Sequence, residues 1–456
     1  MFIRLLVTIF VVIPTSWVGG SAEQAVAANN NVNGYQAWNW NSGSRMIDDN
    51  GTMWFADVNG DGKADMISKG QPGAWNAGVV YVSLSTGSGY QPWTWYSEVR
   101  MIDDNSTMWF ADVNGDGKAD MISKGQPGAW NAGVVYVSLS TGRGYQPWTW
   151  YSGSRMIDDN GTMWFADVNG DGKADMISKG QPGAWNAGVV YVSLSTGSGY
   201  QPWTWYSEVR MIDDNSTMWF ADVNGDGKAD MISKGQPGAW NAGVVYVSLS
   251  TGSGYQPWTW YSGSRMIDDN TSIWFADVNG DGKSDLISKG QPGGANAGIV
   301  FVSLSSGSGY PSWSWNSGNR MIDDKGTMWF GDVDGDGKDD LISIGEDGAV
   351  NEGWIYVALS TGRGFQPWTW NSGRKLISNQ LLWLTEINGD GKVDIVTKGT
   401  SGSSAGLVYI SLSTTFTQTR YVYNSSGRLV EMVLPDGSII HFEYDSNGNL
   451  MSKHKN

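Results

Sequence analysis

Asp57-Val-Asn-Gly-Asp-Gly-Lys-Ala-Asp65 recurs from Asp112, Asp167, Asp222 and, with Ser284 for alanine, Asp277. It returns as Asp332-Val-Asp-Gly-Asp-Gly-Lys-Asp-Asp340 and, in altered form, from Glu386. Successive copies start 55 residues apart five times and then 54. A fixed period of that length marks a chain of stacked or radially arranged supersecondary units. Each unit brings its own cluster of oxygen donors.

The spacing of those donors points to a hard cation. Asp57, Asn59 and Asp61 alternate, the backbone carbonyl of Lys63 is a further donor, and Asp65 ends the loop, while Gly60 and Gly62 permit the tight turn. The predicted calcium ligands are Asp57, Asn59, Asp61 and Asp65; Asp112, Asn114, Asp116 and Asp120; Asp167, Asn169, Asp171 and Asp175; Asp222, Asn224, Asp226 and Asp230; Asp277, Asn279, Asp281 and Asp285; Asp332, Asp334, Asp336 and Asp340; and Glu386, Asn388, Asp390 and Asp394. Six or seven calcium ions are expected, the seventh loop differing by its longer Glu386. An EF-hand does not fit, because Ser68 stands at the twelfth position and strand-like residues follow. An Asx-rich turn that binds nothing is the alternative.

Composition agrees with the ligand reading. The formal net charge of the 456 residues is −16, and seven divalent ions would leave about −2. The chain is not basic enough to suggest a nucleic-acid partner. It has no cysteine, which excludes disulfides and thiolate metal sites. Residues 1–13 hold one Arg and an apolar run, and Pro14 and small residues follow, so 1–27 is read as a signal peptide with cleavage after Ala22 or Ala27. The mature chain is expected to be secreted or extracytoplasmic, without a membrane span.

Alternation and turn signals predict four strands per repeat: residues 52–58, 64–68, 79–85 and 90–96 in the first, with a Gly/Pro-rich loop at 69–78. That is one blade of a propeller. The metal loop and the third strand each occur seven times. The Trp-x-Trp strand does too, but its first copy, Tyr35-Gln-Ala-Trp-Asn-Trp40, precedes the first metal loop. The expected fold is therefore all-β, a seven-bladed propeller over residues 28–418 whose last blade is completed by the N-terminal strand, which removes free edges. An open solenoid is the competing architecture.

Phe55-Ala-Asp-Val-Asn-Gly-Asp-Gly-Lys-Ala-Asp65, followed by Val80-Tyr-Val-Ser-Leu-Ser-Thr-Gly-Ser-Gly-Tyr90, resembles the FG-GAP/VCBS repeats of integrin-α-like seven-bladed propellers. The resemblance spans roughly residues 35–415. Among soluble members it is most similar to propeller lectins of the Psathyrella velutina type, which implies calcium in the loops and sugar sites between blades. The repeats are more nearly identical than that pattern requires, which argues recent duplication. Residues 419–456 follow another pattern: Tyr423-Asn-Ser-Ser-Gly-Arg-Leu429 and Tyr444-Asp-Ser-Asn-Gly-Asn-Leu450 lie 21 residues apart, with Leu434-Pro-Asp-Gly437 between. This tail is similar to the Tyr-Asp repeats of Rhs and toxin-complex proteins and is expected to form a β-hairpin. A protein partner bound through it is the alternative function.

Trp54, Trp93, Trp95 and their repeats fall on predicted strands and are read as packing between blades. Trp75, Trp130, Trp185 and Trp240 lie on the Gly/Pro-rich loop of four units, where the other units carry Ala295, Val350 and small residues near Ser403. These four are the candidate ligand-binding residues, suited to stack on a sugar ring or anchor a protein; covering a neighbouring blade is the bland alternative. Arg45-Met-Ile-Asp48-Asp49 and its repeats either tie the connecting turns or bond a ligand. Glycans or glycoproteins are the expected partners, bound at several weak sites. The chain is read as non-catalytic: His441 and His454 are confined to the tail, and paired acids such as Asp48/Asp49 recur in six units where a catalytic site needs one asymmetric constellation. Gly87-Ser-Gly89 reads as a hairpin turn, not a phosphate loop.

Overall fold

The computed structural model describes residues 34–414 apart from 37, 48–50, 104–105, 159–160, 214–215, 269–270, 324–325, 378–380 and 401, and, in the tail, 420–423, 429–433, 439–444 and 450–455. The expected signal peptide, Asp48 and Asp49, and the tail turns lie outside these residues.

Seven four-stranded antiparallel sheets follow one another along the chain. β1 (Trp40–Asn41) comes first; blade 1 is then β2 (Met53–Ala56), β3 (Asp65–Lys69), β4 (Val80–Ser83) and β5 (Trp95–Tyr96). Ala56 pairs with Asp65, Met66 with Ser83 and Tyr81 with Tyr96, and blades 2 to 4 repeat this register residue for residue. Blade 7 takes three strands from Leu382–Thr385, Asp394–Lys398 and Val408–Ser411, and β1 supplies the fourth, with Trp40 opposite Ile410 and Asn41 opposite Tyr409. The chain ends thus close a ring, and the open solenoid is excluded.

The apolar core lies between blades. Trp54, Val58, Ile67, Val80 and Val82 of blade 1 pack against Met108, Met121 and Tyr145 of blade 2, with Met101 and Ile102 of the connector buried between them. Fully burying one such Val or Ile contributes about 1.5–3 kcal/mol. Trp95 fits the same interface, standing edge-on to Tyr145 with ring centroids 6.1 Å apart. A Cβ on Gly144 would lie 2.0 Å from that indole, so only glycine fits beneath it.

Two strand expectations need correction. The fourth strand was expected over 90–96, but only Trp95 and Tyr96 pair in register, while Tyr90 makes a lone bridge to Ser85. Pro92 has no N–H to donate, and Trp93 adopts a left-handed φ of 41° with its N–H bonded to Ser83 Oγ at 3.1 Å. The Trp93 position therefore sits on a turn. The tail holds four antiparallel strands (Arg420–Tyr423, Leu429–Val433, Ile439–Tyr444 and Leu450–Lys455), a wider sheet than the expected hairpin. Its register slips at Tyr423 and at Tyr444, the first residue of each Tyr-Asp unit.

Candidate functional site

Antiparallel order sends alternate connections to opposite faces of the ring. Metal loops and the 86–89 turns share one face; the Gly/Pro-rich loops and blade connectors share the other. The two sets of candidate residues are therefore separated by the depth of a blade.

On the first face, each predicted metal loop is organised by its acids. Asp57 Oδ1 accepts from the backbone N–H of Gly60 and Asp61, at 2.6 and 3.2 Å, and Oδ2 from Gly62 at 2.7 Å. Asn59 Oδ1 accepts from Asp61 N–H at 2.8 Å, and Asp61 pairs with the Lys63 ammonium at 3.0 Å. Asp65 is fully buried and accepts from Val58 N–H at 3.0 Å and Ser85 N–H at 2.8 Å. Burial outweighs those two bonds and pushes its carboxyl up to about 7; the same cause takes Asp120, Asp175 and Asp230 to about 6, Asp285 and Asp394 to about 7 and Asp340 to about 8. Glu386 repeats the Asp57 pattern by bonding Gly389 and Gly391 N–H. In the sixth loop Asp332, Asp334 and Asp340 bring carboxylate oxygens within 4.8 Å of one another. Oxygen donors on a glycine-bent loop are the donor set a hard divalent cation takes, and among the described residues the sixth loop is the one whose acids are gathered this closely.

Sequence alone did not show that the seven loops are chained. Ala119 N–H donates to the Asp57 carbonyl at 2.7 Å, and the equivalent bond recurs around the ring until Ala64 N–H closes it on Glu386 at 2.7 Å. Each loop thus holds the next through its backbone.

On the opposite face, a cleft of about 460 Å³ lies where the connector 45–47 meets blade 1, lined by Arg45, Lys69, Asn76, Tyr81, Trp75 and Trp93 among others. The cations there are structural. Arg45 Nε donates to the Ile47 carbonyl at 3.2 Å, and Lys69 Nζ reaches across to the Ser106 carbonyl at 2.8 Å. The acids of the connector act likewise: Asp213 accepts from Asn241 at 3.1 Å and Asp268 from Asn296 at 3.2 Å. Five side-chain atoms in the connectors and Gly/Pro-rich loops, the Oδ1 of Asn131 and Asn241 and the hydroxyls of Ser106, Ser216 and Thr271, are closed to solvent and make no hydrogen bond.

Trp75, Trp130, Trp185 and Trp240 are 94–95% exposed, so they cover no neighbouring blade. The residues that sequence reasoning missed stand beside them. Trp93, Trp148, Trp203 and Trp258 all take φ of 41–45° and hold their rings 6.1–6.5 Å from the tyrosine on the third strand. Their counterparts Trp313, Trp368 and Trp38 close to 5.3, 5.1 and 5.4 Å. The cleft of blade 5 shrinks accordingly to about 160 Å³. The signal was in the sequence: Tyr96, Tyr151, Tyr206 and Tyr261 give way to Asn316, Asn371 and Asn41 in the three blades where the indole lies closer to the third strand.

One family model matches a segment of the chain. The RHS Repeat family matches residues 423–455. A curated T-cell immunomodulatory protein homolog of Plasmodium falciparum (isolate 3D7) is 26% identical over 140 residues, with 26% of this chain and 18% of that protein covered, so the chain spans less than a fifth of that relative. Among solved structures, an Agrocybe aegerita lectin described as recognising non-reducing terminal N-acetylglucosamine shares 22% identity over 72% of this chain and 81% of that one, at a TM-score of 0.48. The Photorhabdus luminescens Tc holotoxin pore shares 15% identity over 80% of this chain and 17% of that one, at a TM-score of 0.41.

Proposed function

We propose that this chain is an exported, calcium-stabilised propeller of the FG-GAP/VCBS kind that binds carbohydrate at the open clefts of blades 1 to 4 without chemical turnover. The observation that supports the reading is the free-standing indole repeated in those blades, Trp75, Trp130, Trp185 and Trp240 at 94–95% exposure, together with the half-exposed Trp93, Trp148, Trp203 and Trp258. An indole face covers the apolar face of a pyranose. In each metal loop the four predicted side chains would hold the ion, and calcium when bound supplies charge neutralisation for the buried acid. Among the described residues no helix is long and apolar enough to cross a membrane.

A glycan array probed with calcium and again after chelation tests the reading. Binding of a defined sugar group is expected, lost when Trp75, Trp130, Trp185 and Trp240 are all replaced by alanine while circular dichroism stays unchanged. Undiminished binding by that variant would sink the assignment. Titration calorimetry should count six or seven calcium ions, and a melt indifferent to chelator would refute the metal.

The RHS Repeat match at residues 423–455 favours a second reading, an accessory module that meets a protein partner through its tail sheet. A chain ending at residue 418 separates the two: the lectin reading requires that it keep glycan binding.

A further inference from the structure

A serine two residues beyond each third strand touches two metal loops at once. Ser140 N–H donates to the buried Asp120 of its own blade at 2.8 Å, while its hydroxyl donates to the Val58 carbonyl of the preceding blade at 2.6 Å. Val58 directly follows Asp57, and its N–H donates to Asp65 at 3.0 Å. A path of hydrogen bonds therefore runs from the buried acid of one loop to the buried acid of its neighbour. Ser195, Ser250, Ser305 and Ser360 repeat both bonds, with the hydroxyl 2.5 Å from the carbonyls of Val113, Val168, Val223 and Val278. Ser85 carries the path on to blade 7, bonding Asp65 and the Ile387 carbonyl at 2.8 Å each.

The seventh serine breaks the pattern. Ser413 N–H bonds Asp394 at 2.7 Å, but its hydroxyl is buried without a hydrogen bond. The closure of the ring explains the difference. In the other six blades the serine opens a tight turn, and the N–H of the glycine two residues on, from Gly87 to Gly362, donates to its Oγ at 3.0–3.1 Å. That bond aims the hydroxyl proton at the carbonyl across the joint. In blade 7 Ser413 instead pairs with Tyr35, and Thr414 bonds Gly34, because the fourth strand comes from the N-terminal segment. The backbone bond between the loops persists there, from Val393 N–H to the Asp332 carbonyl at 2.9 Å. Through their serines the loops thus form a line, from blade 7 through blades 1 to 5 to blade 6, open between blades 6 and 7.

Resting on the calcium reading above, we infer that these serines are positioning residues that couple calcium binding in neighbouring loops, so that filling one loop tightens the next along this line. Each buried acid is held from both sides. Asp120 Oδ1 accepts from Ser140, which reaches back to blade 1, and Oδ2 accepts from Val113, whose carbonyl receives Ser195 of blade 3. Restraining that carboxylate restrains both neighbours, and a loop already restrained loses less freedom when it binds in turn. Loops 1 to 4 are identical from Asp57 to Lys69 and at the equivalent positions. If independent, they would share one midpoint and titrate with a Hill coefficient of one.

Equilibrium dialysis of the full chain, freed of metal by chelation, against radioactive calcium tests the coupling. The wild type should bind six or seven ions with a Hill coefficient of about 2. Ser195→Ala/Ser250→Ala cuts both joints of the blade 3 loop; it should bind as many ions, with a Hill coefficient nearer one and a midpoint raised about five-fold. Ser195→Thr/Ser250→Thr keeps both hydroxyls and should restore the cooperativity. Ser413→Ala removes a hydroxyl that bonds nothing and should titrate like the wild type. A purely structural role would lower the melting temperature of the metal-free variant and leave the Hill coefficient alone, so melts are run beside the isotherms. A wild-type coefficient of one overturns the coupling whether or not any variant folds, and so does a double alanine variant that titrates like Ser413→Ala. Calcium bound without cooperativity leaves the calcium reading standing; if no calcium is bound, that reading falls and the coupling with it.

Discussion

At the position of Trp75, blades 1 to 4 carry tryptophan whereas blades 5 and 6 carry Ala295 and Val350; at the position of Tyr96, blades 1 to 4 carry tyrosine whereas blades 5 to 7 carry Asn316, Asn371 and Asn41. Beneath these positions the two groups do not differ. Their strand registers match, and each metal loop ends on a buried acid, from Asp65 to Asp394, that ties two backbone N–H groups. What changes together around the ring is the set of residues the fold does not use. In blades 5 to 7 the asparagine finds local work, accepting from the N–H of Gly318, Gly373 and Gly43 at 2.9–3.0 Å. In blades 1 to 4 the tyrosine stacks and stays exposed.

The largest effects should therefore be the same in both groups. Asp175→Ala in blade 3 strands the N–H groups of Val168 and Ser195; Asp285→Ala in blade 5 strands those of Val278 and Ser305. Two buried orphans at about 1–3 kcal/mol each give a loss of about 2–6 kcal/mol in either blade. Urea unfolding of the calcium-free protein measures it, and a much smaller loss in blade 5 would break the claim of a common interior.

Next in size is the packing of the Trp-x-Trp indole. A methyl added at Gly199 meets Trp150 at 2.1 Å, and one added at Gly364 meets Trp315 at 2.1 Å. Gly199→Ala and Gly364→Ala should each cost about 1–3 kcal/mol by overpacking, lowering the melting temperature while glycan binding by the folded fraction is kept.

The common interior was legible in the sequence and the divergent surface only partly so. Alternation located three of the four strands in each blade, and counting Trp-x-Trp units found the closing strand, because register and burial follow from periodicity. The Gly/Pro setting of Trp75 announced exposure. Trp93 was misread for a physical reason: it lies in an apolar alternation, but Pro92 and a left-handed backbone lift it off the sheet. Bonds between loops of successive blades, such as Ala119 N–H to Asp57, join backbone atoms and leave no mark on residue identity. The tail was read as a hairpin because Tyr423-Asn-Ser-Ser-Gly-Arg-Leu429 and Tyr444-Asp-Ser-Asn-Gly-Asn-Leu450 carry the sequence signals of chain reversals without showing how many strands they join.

The smallest expected effect probes how the surface is set. Blade 6 has the same Gln366-Pro367-Trp368 as the open blades, yet Trp368 closes on Tyr356 to 5.1 Å. Pro alone thus does not hold the cleft open. Two residues differ around that tyrosine: Asn371 stands where blade 2 has Tyr151, whose ring stacks on Tyr136, and Trp354, stacked on Tyr356 with centroids 6.5 Å apart, stands where blade 2 has Val134. Tyr151→Asn should recreate the closed state, because Gly153, two residues on with φ of 69°, can donate to the new amide as Gly43 does to Asn41. Tyr151 is 60% exposed, so stability should move by no more than about 0.5 kcal/mol. Trp148 should drop onto Tyr136, which a blue shift in its fluorescence would register, and glycan affinity should fall about two- to five-fold although Trp130 is untouched. Unchanged affinity with a shifted spectrum would leave Trp130 alone as the contact and reduce the difference between the two groups of blades to that one residue.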